Sequence, residues 1–449
     1  MTFPEEVSNY ISKRALSKWH LEWEEASGIE LVIVVPAICE FENIKKLLSS
    51  LIKQSHTALQ KTLVMFVINH SVSSEQKTKN DNKRSVEYLR TLIIKNSTDK
   101  FSKEIFESGI RIGLIDAATD GKELDDKRAG VGLARKIGMD KALQVFDYRT
   151  SSKKIIVSVD ADCIVQDNYL PEIQKFFTEN NAYVALVNFE HSLPEETINR
   201  ISILSYEIFL RHYVVGLLFA QSPFAFHTIG STINCDHEAY IRVGGMNTKK
   251  AAEDFYFLQK LAKHYRVKMI TKTTVKPSAR ESWRVPFGTG KSMTDYLTNK
   301  KKIFIFDPHV YVILKQWLQV FNTDLLLNPD LILDEAKEIH PELYSFLSHR
   351  SFKEDWKKIL ENTKTSRQLD YQRKNWFDAF ETLKLMHHMR DTAFPLMDIK
   401  TGVEKLFNLI QHSFKFESGS NSNNEMQTLE NYLAEVKSLE NNLFQSFYE

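Results

Sequence analysis

Cysteine is scarce: there are three, Cys39, Cys163 and Cys235, with no C-x-x-C pair. That excludes a disulfide framework and a zinc ribbon, and fits a reducing cytoplasm. Net charge is nearly absent, +1 from 59 basic and 58 acidic side chains. Such a chain projects no global field, so no nucleic-acid partner is expected. The N-terminal stretch MTFPEEVSNYISKR lacks the basic-then-apolar order of a secretion signal. Long uncharged apolar runs are missing too. The most apolar window, 201–233, is broken by Arg211 and His212, with Glu207 one turn earlier. A membrane span needs about 20 mostly apolar residues, so this window reads as a buried or interfacial helix. A cytoplasmic protein is expected, with peripheral contact at the inner face of the membrane left open.

Glycine is scarce only in the later part, since thirteen of the 15 lie at or before Gly290. We therefore divide the chain into residues 1–290, rich in turns, and a helical extension, 291–449. The first part alternates strand and helix signals. IELVIVVPA, TLVMFVIN, IRIGLIDA and KKIIVSV read as buried strands. ENIKKLLSSLIKQS, SVEYLRTLII and GVGLARKIGMDKALQVF read as the helices between them. This rhythm predicts an α/β fold with a mostly parallel sheet flanked by helices, whose ligands bind beyond the C-terminal strand ends. SVSSEQKTKNDNKR reads as an exposed loop, and TDGKELDDKRAG as a mobile loop over the same sheet edge. ESGSNSNNE reads as a linker before a last amphipathic helix.

The fourth strand runs into Asp160 and Asp162. In extended backbone, residues two apart point to the same side. Two carboxylates at one spot repel unless a cation lies between them, and Mg²⁺ or Mn²⁺ takes oxygen ligands that it shares with substrate phosphates. Turn chemistry or helix capping explains an isolated Asp-x-Asp equally well, and Asp167 is expected to be the cap of the next helix. GTGKS looks like a phosphate loop, but the full pattern needs glycine at the position of Val285 and a strand running straight in. We reject it.

Five segments taken in order resemble glycosyltransferase family 2, the GT-A nucleotide-sugar transferases. They are VVPAICEFENI, INHSVSS, GVGLARKIG, SVDADCIV and GGMNTKKAAEDFYF, and the resemblance covers about residues 30–284. It implies that Pro36 and Glu40 form the turn that contacts the nucleoside, with Cys39 where Asn is usual. Asn69 and His70 replace the two acids of the second strand end, leaving Asn69 to meet a base edge. Arg135 would approach the base or diphosphate, with Lys136 where Asn is common. Asp160, Ala161 and Asp162 would form the Asp-x-Asp segment, and Asp160 and Asp162 would hold the ion. Asp254 would be the general base, and Glu253 would support it or bind acceptor. For Asp254, simple helix capping is the competing explanation. Arg280, Arg284 and Lys291 would form a basic flap over the diphosphate.

The resemblance implies metal-dependent transfer of a sugar from a UDP- or GDP-sugar donor to a hydroxyl on a glycan or lipid-linked acceptor, with inversion, in glycan or cell-envelope polysaccharide synthesis. Two alternatives stay open. A sugar nucleotidyltransferase would need a Gly-rich basic loop after the first strand, which PAICEFEN lacks. An inactive nucleotide-binding scaffold draws weight from the altered INHS turn. Tyr206, Phe209, Phe219, Phe224 and Phe226 could stack on sugar or fill a core, and the region 217–219 could approach lipid. His227 and His237 could face the site, but a lone histidine is more often structural.

Overall fold

A computed structural model describes residues 3–282, 288–325, 327–413 and 425–448. The strands are β1 (Leu21–Trp23), β2 (Leu31–Ala37), β3 (Thr62–Asn69), β4 (Arg111–Ala117), β5 (Ile155–Ser158), β6 (Ile164–Val165), β7 (Val184–Phe189), β8 (Ile233–Asp236) and β9 (Lys268–Lys276). They form one sheet in the order β1-β4-β3-β2-β5-β8-β7-β9-β6. β4, β3, β2 and β5 are parallel neighbours, so their C-terminal ends share one rim. β8 runs antiparallel between β5 and β7. The expected α/β architecture with a helical C-terminal part is what the chain adopts.

Burial on both faces explains why the central strands are unbroken apolar runs: every residue of β2 and β3 is buried. Val32, Val34, Leu63 and Met65 pack to one side against the helix Val131–Ala142. Leu31, Ile33, Val64 and Phe66 pack to the other, with the helices Phe41–Leu51 and Gln76–Ile93. Pro36 falls after the last β2–β5 pair, Val34↔Ser158, so its missing N–H costs no bond on that side.

The stretch expected to be an exposed loop, 71–84, is helical from Gln76 onward. Periodicity misses it because its buried positions are polar. Thr78 and Asn82 face the protein there. The loop expected to be mobile, 119–130, is pinned: the Leu124 N–H donates to His70 O at 2.9 Å, Leu124 is fully buried, and Asp126 accepts from Ser73. Asp167 does not cap the following helix, which starts after Asn168 and lacks a side-chain cap.

The first part of the apolar window lies in a helix, Thr197–Phe219, the one helix among the described residues long and apolar enough to cross a membrane, and 72% of that helix's most apolar stretch is buried in protein. Leu204, Ile208, Val214, Val215, Leu217 and Leu218 share a core with residues 305–444. Leu217 is buried there, and the Phe219 ring lies under Lys315, so 217–219 turns into protein rather than toward lipid. Gly216 marks the tightest crossing: a Cβ there would overlap the ring of Tyr311 on the helix His309–Phe321.

Candidate active site

The shared rim of β2, β3 and β5 carries the site, and it starts with Glu40. The chain leaves β2 through Cys39, whose φ of 57° is left-handed, and Glu40 then precedes the helix Phe41–Leu51. Its carboxylate is buried and accepts from Asn43 Nδ2 at 2.6 Å and from Arg280 Nη2.

Asn82 fixes this corner. Its Oδ1 accepts from the Cys39 N–H at 2.8 Å, and its Nδ2 donates to Asn69 O at 2.9 Å and lies 2.9 Å from His70 Nδ1. One side chain thus ties the ends of β2 and β3 together. Asn69 itself is buried, and its Nδ2 donates to Ala37 O and Val67 O, each at 3.1 Å. Both amide hydrogens are committed to backbone, so any base contact falls to its amide oxygen. Burial lowers the pKa of His70.

Beyond β5 the side chains alternate. Val159, Ala161 and Cys163 are buried, while Asp160 and Asp162 are both partly exposed just past the strand end. The Cys163 N–H closes the turn on Asp160 O at 3.0 Å. Ala161 sends its methyl group into the core, which leaves only its backbone for a ligand.

Two arginines bridge the acids. Arg135, in the helix Val131–Ala142, is almost wholly buried and binds both Asp160 Oδ1 and Glu253 Oε1. Its Nε has no partner among the described residues. Arg280 lies on the segment after β9; its Nε and Nη2 lie 3.1 and 2.9 Å from Asp162 Oδ2, and the same Nη2 reaches Glu40. Glycines permit this packing. A Cβ on Gly230 would overlap the Arg135 guanidinium, and one on Gly132 would overlap Lys249 O and crowd Glu253.

Glu253 and Asp254 open the helix Glu253–His264 behind Ala252, a second non-glycine left-handed residue with φ of 56°. Glu253 is buried, and burial lifts its carboxyl to about 7 against the pull of Arg135. Burial also raises Asp254, again opposed by Arg135. Asp254 is no N-cap: its Oδ1 accepts from the adjacent Phe255 N–H at 2.7 Å. Tyr206 lies on this side, its pKa pushed up to about 12 by burial, with the Asp254 charge adding to the shift.

Other candidates lie elsewhere. Lys136 is buried on Asp140 and Tyr10, where it pins the N-terminal helix Glu5–Arg14. Lys291 pairs with Asp295 one turn along its own helix at 2.6 Å. His227 is buried against Glu440, and His237 packs on Tyr148. Phe224 and Phe226 are core residues. Arg284 lies outside the described residues. Sequence reasoning missed Asn82, because a polar helix gives no signal of which amide points inward.

Among the described residues no group of three or more His, Cys, Asp or Glu side chains could enclose a metal. The donor set nevertheless fits a hard cation. Asp160 and Asp162 are partly exposed carboxylates two residues apart, 37% and 20% accessible. Such ions are commonly held by one or two carboxylates together with substrate phosphates.

Fold and site together define an α/β protein with an arginine-bridged acidic cluster at the C-terminal rim of its parallel strands. No family model and no curated protein matches the chain. Among solved structures, residues 1–349 of S. aureus TarS in complex with UDP-GlcNAc overlap it with a TM-score of 0.38 and 14% identity, covering 87% of this chain and 95% of that one. The mannosyltransferase PcManGT from Pyrobaculum calidifontis, in complex with GDP-Man and Mn²⁺, overlaps it with a TM-score of 0.34 and 13% identity, covering 96% and 91%. Overlap this loose leaves the activity to be argued from the site.

Proposed function

We propose that the chain is a glycosyltransferase of the family 2, GT-A type, moving a sugar from a UDP- or GDP-sugar to a hydroxyl acceptor with inversion. The observation that carries this reading is the convergence of Glu40, Asp160, Asp162, Glu253 and Asp254 on one strand rim through two bridging arginines. These residues come from separate segments, and a purely structural role would not require them to meet.

In this reading residues 1–290 form the transferase domain and 291–449 its helical extension. Glu40 accepts hydrogen bonds from the ribose, and the Asn69 oxygen meets the base. Arg135 holds Asp160 and Glu253 in place and stays fixed. Asp160 and Asp162 would hold Mg²⁺ or Mn²⁺, which supplies Lewis-acid stabilisation of the leaving nucleotide. Asp254 takes the acceptor proton, and its raised pKa brings a carboxylate closer to the range that suits a base near neutrality. The acceptor is a glycan or a lipid-linked saccharide, and the setting is glycan or cell-envelope polysaccharide synthesis on the cytoplasmic side.

A nucleotidyltransferase reading gains nothing from the structure, since the helix Phe41–Leu51 starts directly after Glu40 and leaves no room for a Gly-rich loop. The deciding experiment is a thermal-shift screen of UDP, GDP and their sugars with and without Mn²⁺, repeated on Asp162→Ala. A metal-dependent shift that the substitution removes is expected. An equal shift in the variant overturns the ion site, and no shift with any nucleotide overturns the transferase.

A further inference from the structure

We propose that Arg280 is a latch on the ion site. It is an internal cation that holds Asp162 and Glu40 while no donor is bound, and it releases them when a divalent ion and a nucleotide diphosphate arrive together. The inference rests on the transferase reading and deepens it.

The two bridging arginines are built differently. Arg135 is 3% exposed, wedged against Gly230, and set in a helix. Arg280 is 35% exposed and sits on an irregular segment after β9, where its own N–H makes a long 3.3 Å bond to Ser278 Oγ. One guanidinium is fixed and the other can swing.

What Arg280 occupies also matters. Its Nε and Nη2 converge on a single oxygen, Asp162 Oδ2. A divalent ion drawn to that carboxylate would lie close to the guanidinium, and the two positive charges repel strongly at such range. The guanidinium also reaches Glu40, so the latch closes the ion position and the nucleoside position at once.

An ion alone has little with which to displace it. Among the described residues no third acid or histidine completes a shell. A diphosphate changes the balance in two ways. Its oxygens complete the coordination of the ion, and they give the displaced guanidinium a bidentate anionic partner. Ribose hydroxyls then replace the donor that Glu40 loses. Ion and nucleotide binding are therefore coupled, and the ion position is guarded against adventitious metals. A competent state populated about one part in ten weakens the apparent ion affinity about tenfold.

The test is a Mn²⁺ titration of the full chain, read by the free-ion electron paramagnetic resonance signal. It compares the parent with Arg280→Ala, Arg280→Lys and Asp162→Asn, each without nucleotide and with UDP or GDP. Arg280→Ala is expected to bind Mn²⁺ alone about tenfold more tightly than the parent. Its gain on adding nucleotide should shrink accordingly. Arg280→Lys, which keeps the charge, should lie nearer the parent, and Asp162→Asn should abolish tight binding in every case. If Arg280→Ala binds Mn²⁺ no more tightly than the parent while nucleotide still tightens it, the latch is wrong and the transferase stands. If no form binds UDP or GDP, the transferase reading falls and takes the latch with it.

Discussion

Cys39 and Ala252 are two residues at which the backbone is uncomfortable. Each is left-handed, and each immediately precedes an acid of the cluster, Glu40 or Glu253. A side chain with a Cβ costs about 1–2 kcal/mol in this conformation, and Asn tolerates it better than Cys. Cys39→Asn is therefore expected to raise the free energy of unfolding by about 1 kcal/mol, measured by urea denaturation. Asp254 invites the sharper test. Asp254→Asn keeps the shape and the bond from Phe255 N–H but removes the base, so turnover should fall by about 10²–10⁴-fold. Nucleotide thermal shifts should survive the change. A variant that keeps its turnover would move the base elsewhere.

The same scale shows what could be read in advance. The placement of Asp160 and Asp162 just past a strand, and of Glu253 and Asp254 at the start of a helix, was legible because these acids sit in short segments beside apolar runs. Asn82 was not, because an amide that ties two strand ends looks like any other polar residue in QKTKNDNKR. Asn69 was legible in position but not in orientation, since the direction of an amide depends on neighbouring carbonyls from β2.

Among the elements, the helix Glu425–Tyr448 is held by charge as well as by apolar contact. Its Glu440 meets Arg211 and His227, and its Lys437 lies 3.2 Å from Glu207 and 2.6 Å from Glu190. Glu207 also accepts from the His191 N–H at 2.9 Å, and Arg211 Nη2 donates to Phe189 O at 2.6 Å, at the end of β7. The network thus joins the last helix to the sheet rim. Removing Glu440 takes the carboxylate partner from buried His227 and one of two from Arg211, which keeps Glu207 at 3.0 Å, so Glu440→Ala should cost about 3 kcal/mol. Hydrogen exchange should show 425–448 opening first.

Burial alone would raise the carboxyls of Glu207 and Glu440. Arg211 and His191 outweigh it at Glu207, with Lys437 adding, and His227 and Arg211 outweigh it at Glu440, so both lie below their ordinary value of 4.5. The folded state then binds fewer protons than the unfolded one. The stabilisation is complete above about pH 4.5 and drains away as the pH falls through the folded values. Melting curves from pH 7 to pH 3 should show this loss, and Glu440→Gln should flatten it. Elements of this kind were legible only as amphipathic helices. Periodicity shows that a helix buries one face, not that its partner lies more than two hundred residues away.

For the whole molecule, the parallel part of the sheet was legible, since β2, β3 and β5 are apolar through their middles and β4 departs from that only at Arg111 and Asp116, and such strands need cover on both faces. The antiparallel strand β8, INCD, was not. It is four residues long and contains Asn234 and Asp236, whose burial is made tolerable by hydrogen bonds that no local pattern reveals. The join between the two parts was also hidden. The helix Thr197–Phe219 belongs by sequence to the first part, yet its apolar stripe belongs to the core of the second. A fragment spanning 1–290 is expected to aggregate on expression, read by size-exclusion chromatography, whereas a well-behaved monomer would show that the stripe can be left uncovered.

The crossing at Gly216 extends this point to the history of the chain. Because the backbone there lies directly against a ring carried by the neighbouring helix, the two surfaces are matched to within a methyl group. A homologous cap transplanted from another protein would have to bring its own version of that notch. Recombination between the halves is therefore constrained, and they are best treated in engineering as one inheritable unit.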